Sequence, residues 1–325
     1  MFDIKLNLTN MRLSYLNLIF LVSTFCLAQQ SDVQLKNVND TILNSKRVLK
    51  IAEPFDGIKT MQKLFPGKLY KLEDDNTFIS WNCKACKPTA YLDVNGVEGD
   101  QMFPYQDGVA TRLLSNIDYT DSKGNQFKLL TFNHSVYDMD GLQTGRFSGG
   151  LIGVAKFAKN GKVWEMRSFQ PAVFACGAFS RAPQPKLVEI GEDQFALTVV
   201  HSNGGPGAPY SGFLYLLVGF EGKYQLLMEV DYYSLFNSPS SDWSSSFTVV
   251  KDNKKFFRDF IVTTTGSYKK AKNTEDDFEV DLPKELAQMA KTKKQFDFEI
   301  VRRFSLKGKF YKMTGQPILK FSKVK

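Results

Sequence analysis

Tight-turn residues return at regular intervals between short β-type runs, and this spacing constrains the fold more than any other feature of the chain. Asn160-Gly161 separates residues 151–158 from 163–169. Both central residues of such a turn need positive φ, so Asn-Gly marks a two-residue hairpin. Glu221-Gly222-Lys223 divides 212–220 from 224–233, and Lys307-Gly308-Lys309 divides 296–306 from 310–313. Gly191-Glu192-Asp193 does the same for 186–190 and 195–200. Further pairs are read at 69–72 with 78–81, 110–119 with 127–132, and 247–250 with 256–265, while 89–94 ends at Asn95-Gly96. Strands joined by short turns pair antiparallel. No strand–helix–strand alternation occurs, which argues against a doubly wound or barrel α/β fold. The expectation is an all-β protein whose antiparallel hairpins form a propeller-like or sandwich domain over residues 68–325.

Two helices interrupt the pattern. Asp56 is placed to cap a short helix with Ile58, Met61, Leu64 and Phe65 on one face, ended by Pro66-Gly67. This helix belongs to a lead-in segment, residues 29–67. Near the C-terminus Asp281 is expected as an N-cap, with Pro283 in the first turn and Leu286, Met289 and Ala290 on one face.

Residues 1–28 read as a cleaved signal helix. Arg12 precedes a mostly apolar run to Leu27, and Ala28 offers a small residue at the cleavage point. Met11 places that charge directly at a start, so residues 1–10 read as an upstream extension. The run is shorter than the roughly 20 residues a spanning helix needs, and no second one follows. The mature chain is therefore expected in the periplasm, at the cell surface or outside the cell, without a transmembrane segment. A retained anchor, or a lipoprotein acylated at Cys26, are the alternatives.

Charge is uneven. Residues 251–325 hold 19 Lys/Arg and 10 Asp/Glu, a net of +9, while residues 1–250 hold 23 and 24, a net of −1, which makes +8 for the whole chain. An excess of this kind concerns solubility and anionic partners rather than fold. An envelope or extracellular ligand, anionic in character, is the candidate partner. Nucleic acid is not expected for an exported chain without a recognition signature.

Residues 164–169 lead through Gly177-Ala178-Phe179 into Pro183-Gln184-Pro185 and a run ending Ile190-Gly191. That layout resembles one blade of the calcium-associated propellers with Phe-Gly and Gly-Ala-Pro signatures. The aspartate-rich metal loop of that family is missing, so the resemblance implies a fold and not a function.

Few residues point to chemistry. Cys83 and Cys86 lie three apart in an oxidising compartment, which favours a local disulfide; Cys176 is left over. A zinc site would need two more ligands, and only Cys176, His134 and His201 are available. Neither metal nor cofactor is expected. His201-Ser202-Asn203-Gly204-Gly205-Pro206-Gly207 resembles the oxyanion loop of α/β-hydrolases, but no Gly-x-Ser-x-Gly elbow accompanies it. His201, Asn203 and Tyr210 are candidates for a ligand-facing loop. Trp243, inside a serine-rich stretch, would either stack on a ligand or plug a sheet edge. His134 beside Ser135, with Asp138 and Asp140 close behind, is the material of a triad. Glu165, Glu189 and Glu229 are unranked candidates for glycoside hydrolysis. The leading expectation is a non-enzymatic binding or interaction module. A secreted hydrolase of glycan or ester, and an inhibitor acting through residues 202–211, are the alternatives.

Overall fold

Antiparallel hairpins build almost everything the structure shows. A computed structural model describes residues 33–72, 76–96, 101–136, 145–203, 210–235, 241–252, 254–270 and 281–325. The chain divides into two compact units, Met1–Gln34 and Leu35–Lys325, and every element below belongs to the second. The expected leader, residues 1–28, lies outside the described residues. No helix among the described residues is long and apolar enough to cross a membrane.

The first half supplies β1 (Lys50–Ala52), β2 (Lys68–Lys71), β3 (Thr77–Trp81), the short pair β4 (Thr89–Tyr91) and β5 (Gln101–Phe103), and then β6 (Val109–Thr120), β7 (Gln126–Val136), β8 (Gly150–Asn160) and β9 (Val163–Cys176). Seven of these form one antiparallel sheet in the order β1-β9-β8-β7-β6-β3-β2. The second half supplies β10 (Lys186–Gly191), β11 (Gln194–Asn203), β12 (Tyr210–Phe220), β13 (Lys223–Leu235), β14 (Ser241–Val249), β15 (Phe260–Lys269), β16 (Gln295–Lys307), β17 (Phe310–Met313) and β18 (Ile318–Ser322). They run β10 to β17 in chain order, and β18 pairs with β16 as well. Gly161, Gly222 and Gly308 take φ of 61°, 80° and 63° in their turns. The turn after β8 corrects the Asn-Gly reading: Asn160 pairs with Val163 as a strand residue, the loop is Gly161-Lys162, and Gly161 alone takes positive φ there. The strands gather into these two large sheets and, among the described residues, do not divide into the four-stranded blades of a propeller.

Alternation along each strand decides what each face meets. In β7, Leu130 and Phe132 point to one core and Leu129 to another. The first core joins Phe132, Phe157, Trp164 and Phe169 to the lead-in through Val38, Ile42, Met61, Leu64 and Phe65. Here helix α1 (Gly57–Leu64) starts as expected, the Asp56 carboxylate accepting the Lys59 N–H at 2.8 Å. Burying side chains the size of Met61 and Leu64 contributes about 2 kcal/mol each. The second core lies between the sheets, with Leu129, Ile152, Val154 and Phe174 packed with Leu197, Val199, Tyr215 and Leu217. The alternate residues of β12, Leu214, Leu216 and Val218, pack with Phe260, Val262, Phe304 and Tyr311 of the same sheet. The second sheet therefore curls on itself.

Helix α2 (Ala287–Thr292), short and near the C-terminus, follows a 3-10 turn at Lys284–Leu286. Its expected cap needs correction. Asp281 does not cap it; the turn opens at Pro283 without a side-chain cap. The Asp281 carboxylate accepts the Ser211 hydroxyl at 2.9 Å, and its carbonyl accepts the Trp243 indole N–H at 2.8 Å. Burial of Trp243 needs an acceptor for that N–H, and Asp281 supplies it from outside the helix.

Candidate functional site

Where the β12–β13 turn approaches β9, a cleft of about 750 Å³ opens. Leu43, Phe169, Pro171, Ala172 and Tyr224 give it apolar surface, and Ser45, Thr89, Ser168 and Gln170 add polar surface between them. Among the described residues four cations stand around it, Lys46, Lys156, Arg167 and Lys223, and no carboxylate lines it. They arrive from four separate segments: the lead-in, β8, β9 and the start of β13.

The cations differ in their surroundings. Arg167 is exposed and reaches Glu165 at 3.1 Å. Lys46 and Lys223 are exposed, and among the described residues neither enters an ion pair. Lys156 is half-buried. Its ammonium sits 4.5 Å from the Phe127 ring centre and 5.7 Å from that of Tyr119, with no ion pair among the described residues. Burial pushes its pKa down, and the charge of Asp121 opposes this. Aromatic faces stabilise a cation less than a carboxylate does, so this site retains affinity for an anion. Beneath Phe169, Arg47 stacks at 4.6 Å from the ring centre and donates to the Leu64 carbonyl at 2.7 Å. Burial pushes its guanidinium down to about 10.

Gln170 fixes the cleft floor across the two sheets. Its Oε1 accepts the Tyr224 N–H at 2.8 Å, and its Nε2 donates to the Tyr224 carbonyl at 3.2 Å. The amide thus pairs with β13 as a strand residue would. Burial raises the Tyr224 phenol to about 12, so it stays a neutral wall.

The residues chosen from sequence lie elsewhere and apart. Cys83 and Cys86 form the expected disulfide in the first core, with a Cα–Cα distance of 5.3 Å. Cys176 is free and buried, and burial holds its thiol well above the usual range, so it is not a reactive thiolate. His201 is buried on β11, and its Nδ1 accepts the Gly177 N–H at 2.8 Å. Asn203 pairs with Ser211 at the end of β11. Tyr210 opens β12 and is exposed. Residues 204–209 between them lie outside the described residues. Trp243 is a strand residue of β14 inside a core shared with Tyr268, Phe296 and Leu286, so it plugs rather than protrudes.

His134 is fully buried in a box of Phe65, Trp81, Phe103, Tyr105 and Phe132, whose ring centres lie 4.9–6.3 Å away. The Trp81 indole donates to Thr111 Oγ1 at 2.8 Å, and that oxygen lies 2.7 Å from His134 Nδ1. Burial drives the imidazole pKa down to about 3, against a smaller opposing effect of the Pro171 carbonyl. It is a neutral core residue rather than an accessible base. Ser135 hydrogen-bonds Arg112 at 2.8 Å, and the Asp138 and Asp140 of the triad reading lie outside the described residues. Glu165 and Glu189 are paired to Lys50 and Arg258 on different sheets.

Glu229 has different company. It lines a second cavity, of about 500 Å³, with Asp231 and Glu285 and with the cations Lys284 and Arg302. Burial, together with Asp281 and Glu285, raises the Asp231 pKa. Burial would raise Glu285 too, but its hydrogen bonds to Arg302 outweigh that and hold it below the usual carboxylate range. Comparison with protein-family models, curated proteins and solved structures finds no match to this chain.

The cleft cations escaped sequence reading because they are separated by up to 177 positions, from Lys46 to Lys223, and no local motif joins them. The acid cavity carried one partial signal, Glu229 and Asp231 at the same-face spacing of a strand.

Proposed function

We propose that the chain is an exported, non-enzymatic binding protein whose cleft between β9 and the β12–β13 turn takes an anionic ligand. Its two stacked sheets are read as a sandwich, a rigid frame for that cleft. The observation that carries the reading is the half-buried ammonium of Lys156, held over aromatic rings with Lys46, Arg167 and Lys223 around the same opening. A ligand with two or more negative groups and an apolar body matches cations beside apolar surface. Export rests on Arg12, the apolar run and Ala28.

Calorimetry with dextran sulfate, against neutral dextran, tests the cleft. Binding of the sulfated polymer alone is expected, and Lys156→Met with Arg167→Met should weaken it about tenfold or more, equivalent to 1.4 kcal/mol or above. Equal affinity of the double variant would remove the cleft from the reading. N-terminal sequencing of the secreted form should begin near Gln29; an intact segment from Met11 would overturn export.

A second reading, a hydrolase, draws on the acid cavity. Two carboxyls with pKa values pushed in opposite directions inside one cavity, Asp231 up and Glu285 down, are the arrangement of a general acid beside an ionised partner. Aryl glycosides and aryl esters are the substrates to offer. Turnover lost in Asp231→Asn would favour this reading over the first, and inertness of the native protein toward both would dismiss it.

A further inference from the structure

Six of the 19 Lys/Arg of residues 251–325 are brought by the fold to one end of β16. The Lys270 N–H donates to the Lys294 carbonyl at 2.8 Å, and the Lys294 N–H donates to the Lys325 carbonyl at 3.0 Å. Lys325 in turn donates to the Gln295 carbonyl at 2.9 Å, and Lys269 stands opposite Gln295 in the β15–β16 ladder. Helix α2 ends here, with Lys291 in its last turn and Lys293 as its C-cap. Three chain segments far apart in sequence thus deliver Lys269, Lys270, Lys291, Lys293, Lys294 and Lys325 to one pole, all of them exposed. The neighbouring carboxylate, Asp297, is already taken by Lys323 at 2.7 Å. None of the six enters an ion pair among the described residues. Val324, 43% exposed, stands between Lys323 and Lys325.

We infer that this pole docks the protein on an anionic lipid bilayer. The argument is charge complementarity and shape. The six ammonium groups come from the ends of β15, α2 and β16 and from Lys325, and none of them lines the two cavities described above. Each lysine near an anionic bilayer adds attraction, and that attraction falls off within a Debye length. One exposed valine adds a little apolar area at headgroup depth. Residues 271–280, outside the described residues, carry Glu275, Asp276, Asp277 and Glu279 in sequence. The expected partition is therefore that of a few lysines rather than of six. This docking is independent of the cleft, whose cations lie on β8, β9, the lead-in and the start of β13.

The test is co-sedimentation of the mature chain with phosphatidylcholine vesicles containing about 30% phosphatidylglycerol, and with pure phosphatidylcholine vesicles. Binding to the first and not the second is expected, with release in about 0.5 M salt. The variant Lys270→Gln, Lys293→Gln, Lys294→Gln, Lys325→Gln should partition at least roughly tenfold less while unfolding at an unchanged temperature. Lys156→Met with Arg167→Met, which disables the cleft, should sediment like the native protein. Equal partition on both vesicle types, or full partition of the four-lysine variant, would overturn the inference. Loss of sedimentation in the cleft variant alone would assign the binding to the cleft instead.

Discussion

The two sheets are made of the same antiparallel hairpins, yet different forces hold them. The first closes over an aromatic core with a neutral imidazole at its centre; Phe65, Trp81, Phe132 and His134 are each completely buried. The second keeps carboxylates deep in its fabric and clasps them with cations. Asp259, with its side chain 4% exposed, is held by Lys255 at 2.8 Å and Arg303 at 2.7 Å. Glu285 meets Arg302 through two bonds of 2.8 Å. The lesson is that a shared topology need not share a failure mode. Protonation threatens the first half through its base and the second through its acids.

The largest effect should come from the aromatic side. Phe65→Ala removes a ring stacked on Trp81 at 5.6 Å and is expected to cost about 3–5 kcal/mol, read as a drop in the urea midpoint. A loss under about 1 kcal/mol would mean the box is not the keystone of its half.

Acid should separate the halves next. His134 stays neutral when folded, down to about pH 3, whereas in the unfolded chain it takes up a proton near its ordinary pKa. The unfolded state then binds more protons, so stability is complete above about pH 6.5 and falls by roughly 1.4 kcal/mol per unit below it. Asp259 and Glu285 are lowered instead; burial works against this, and their lysine and arginine partners prevail. Their contribution is present above the ordinary carboxylate range, about pH 4, and is lost as the pH falls through it. Hydrogen exchange at pH 5 should therefore show faster opening in β6 to β9 than in β14 to β16. In His134→Gln the pH 5 difference should vanish; its persistence would place the acid sensitivity elsewhere.

The smallest effect belongs to the ion pairs. Glu285→Gln removes the charge that Arg302 meets and one of its two acceptor oxygens, leaving an amide oxygen and the Thr264 hydroxyl, and is expected to cost about 1–3 kcal/mol. Thermal unfolding in the presence and absence of salt measures it, and a neutral outcome would count against ion pairing as the clasp of the second half.

Much of this fold is legible in the chain itself. Gly161, Gly222 and Gly308 mark their turns because only certain residues tolerate positive φ, and Asp56 marks its helix because a carboxylate there meets a free N–H. β14 was half missed, since Ser244, Ser245 and Ser246 carry no strand pattern and their pairing with β15 supplies the order instead. β18 was missed because most of its residues stay exposed, so no alternation of apolar and polar side chains is written into it. The cleft was invisible for a further reason: its charges are ordinary one by one, and only the meeting of β9 with the β12–β13 turn makes them a group. His201 and Trp243 drew attention by rarity, which in a core often means only a polar atom needing one partner.

Gln170 carries a consequence of its own. A side-chain amide that imitates a peptide group reads the main chain of residue 224 and ignores what hangs from it. The seam between the halves is thereby uncoupled from the chemistry of the lining. A change of ring at position 224 would alter both the surface of the opening and the packing against the core between the sheets, while the two main-chain bonds that weld the opening stay available.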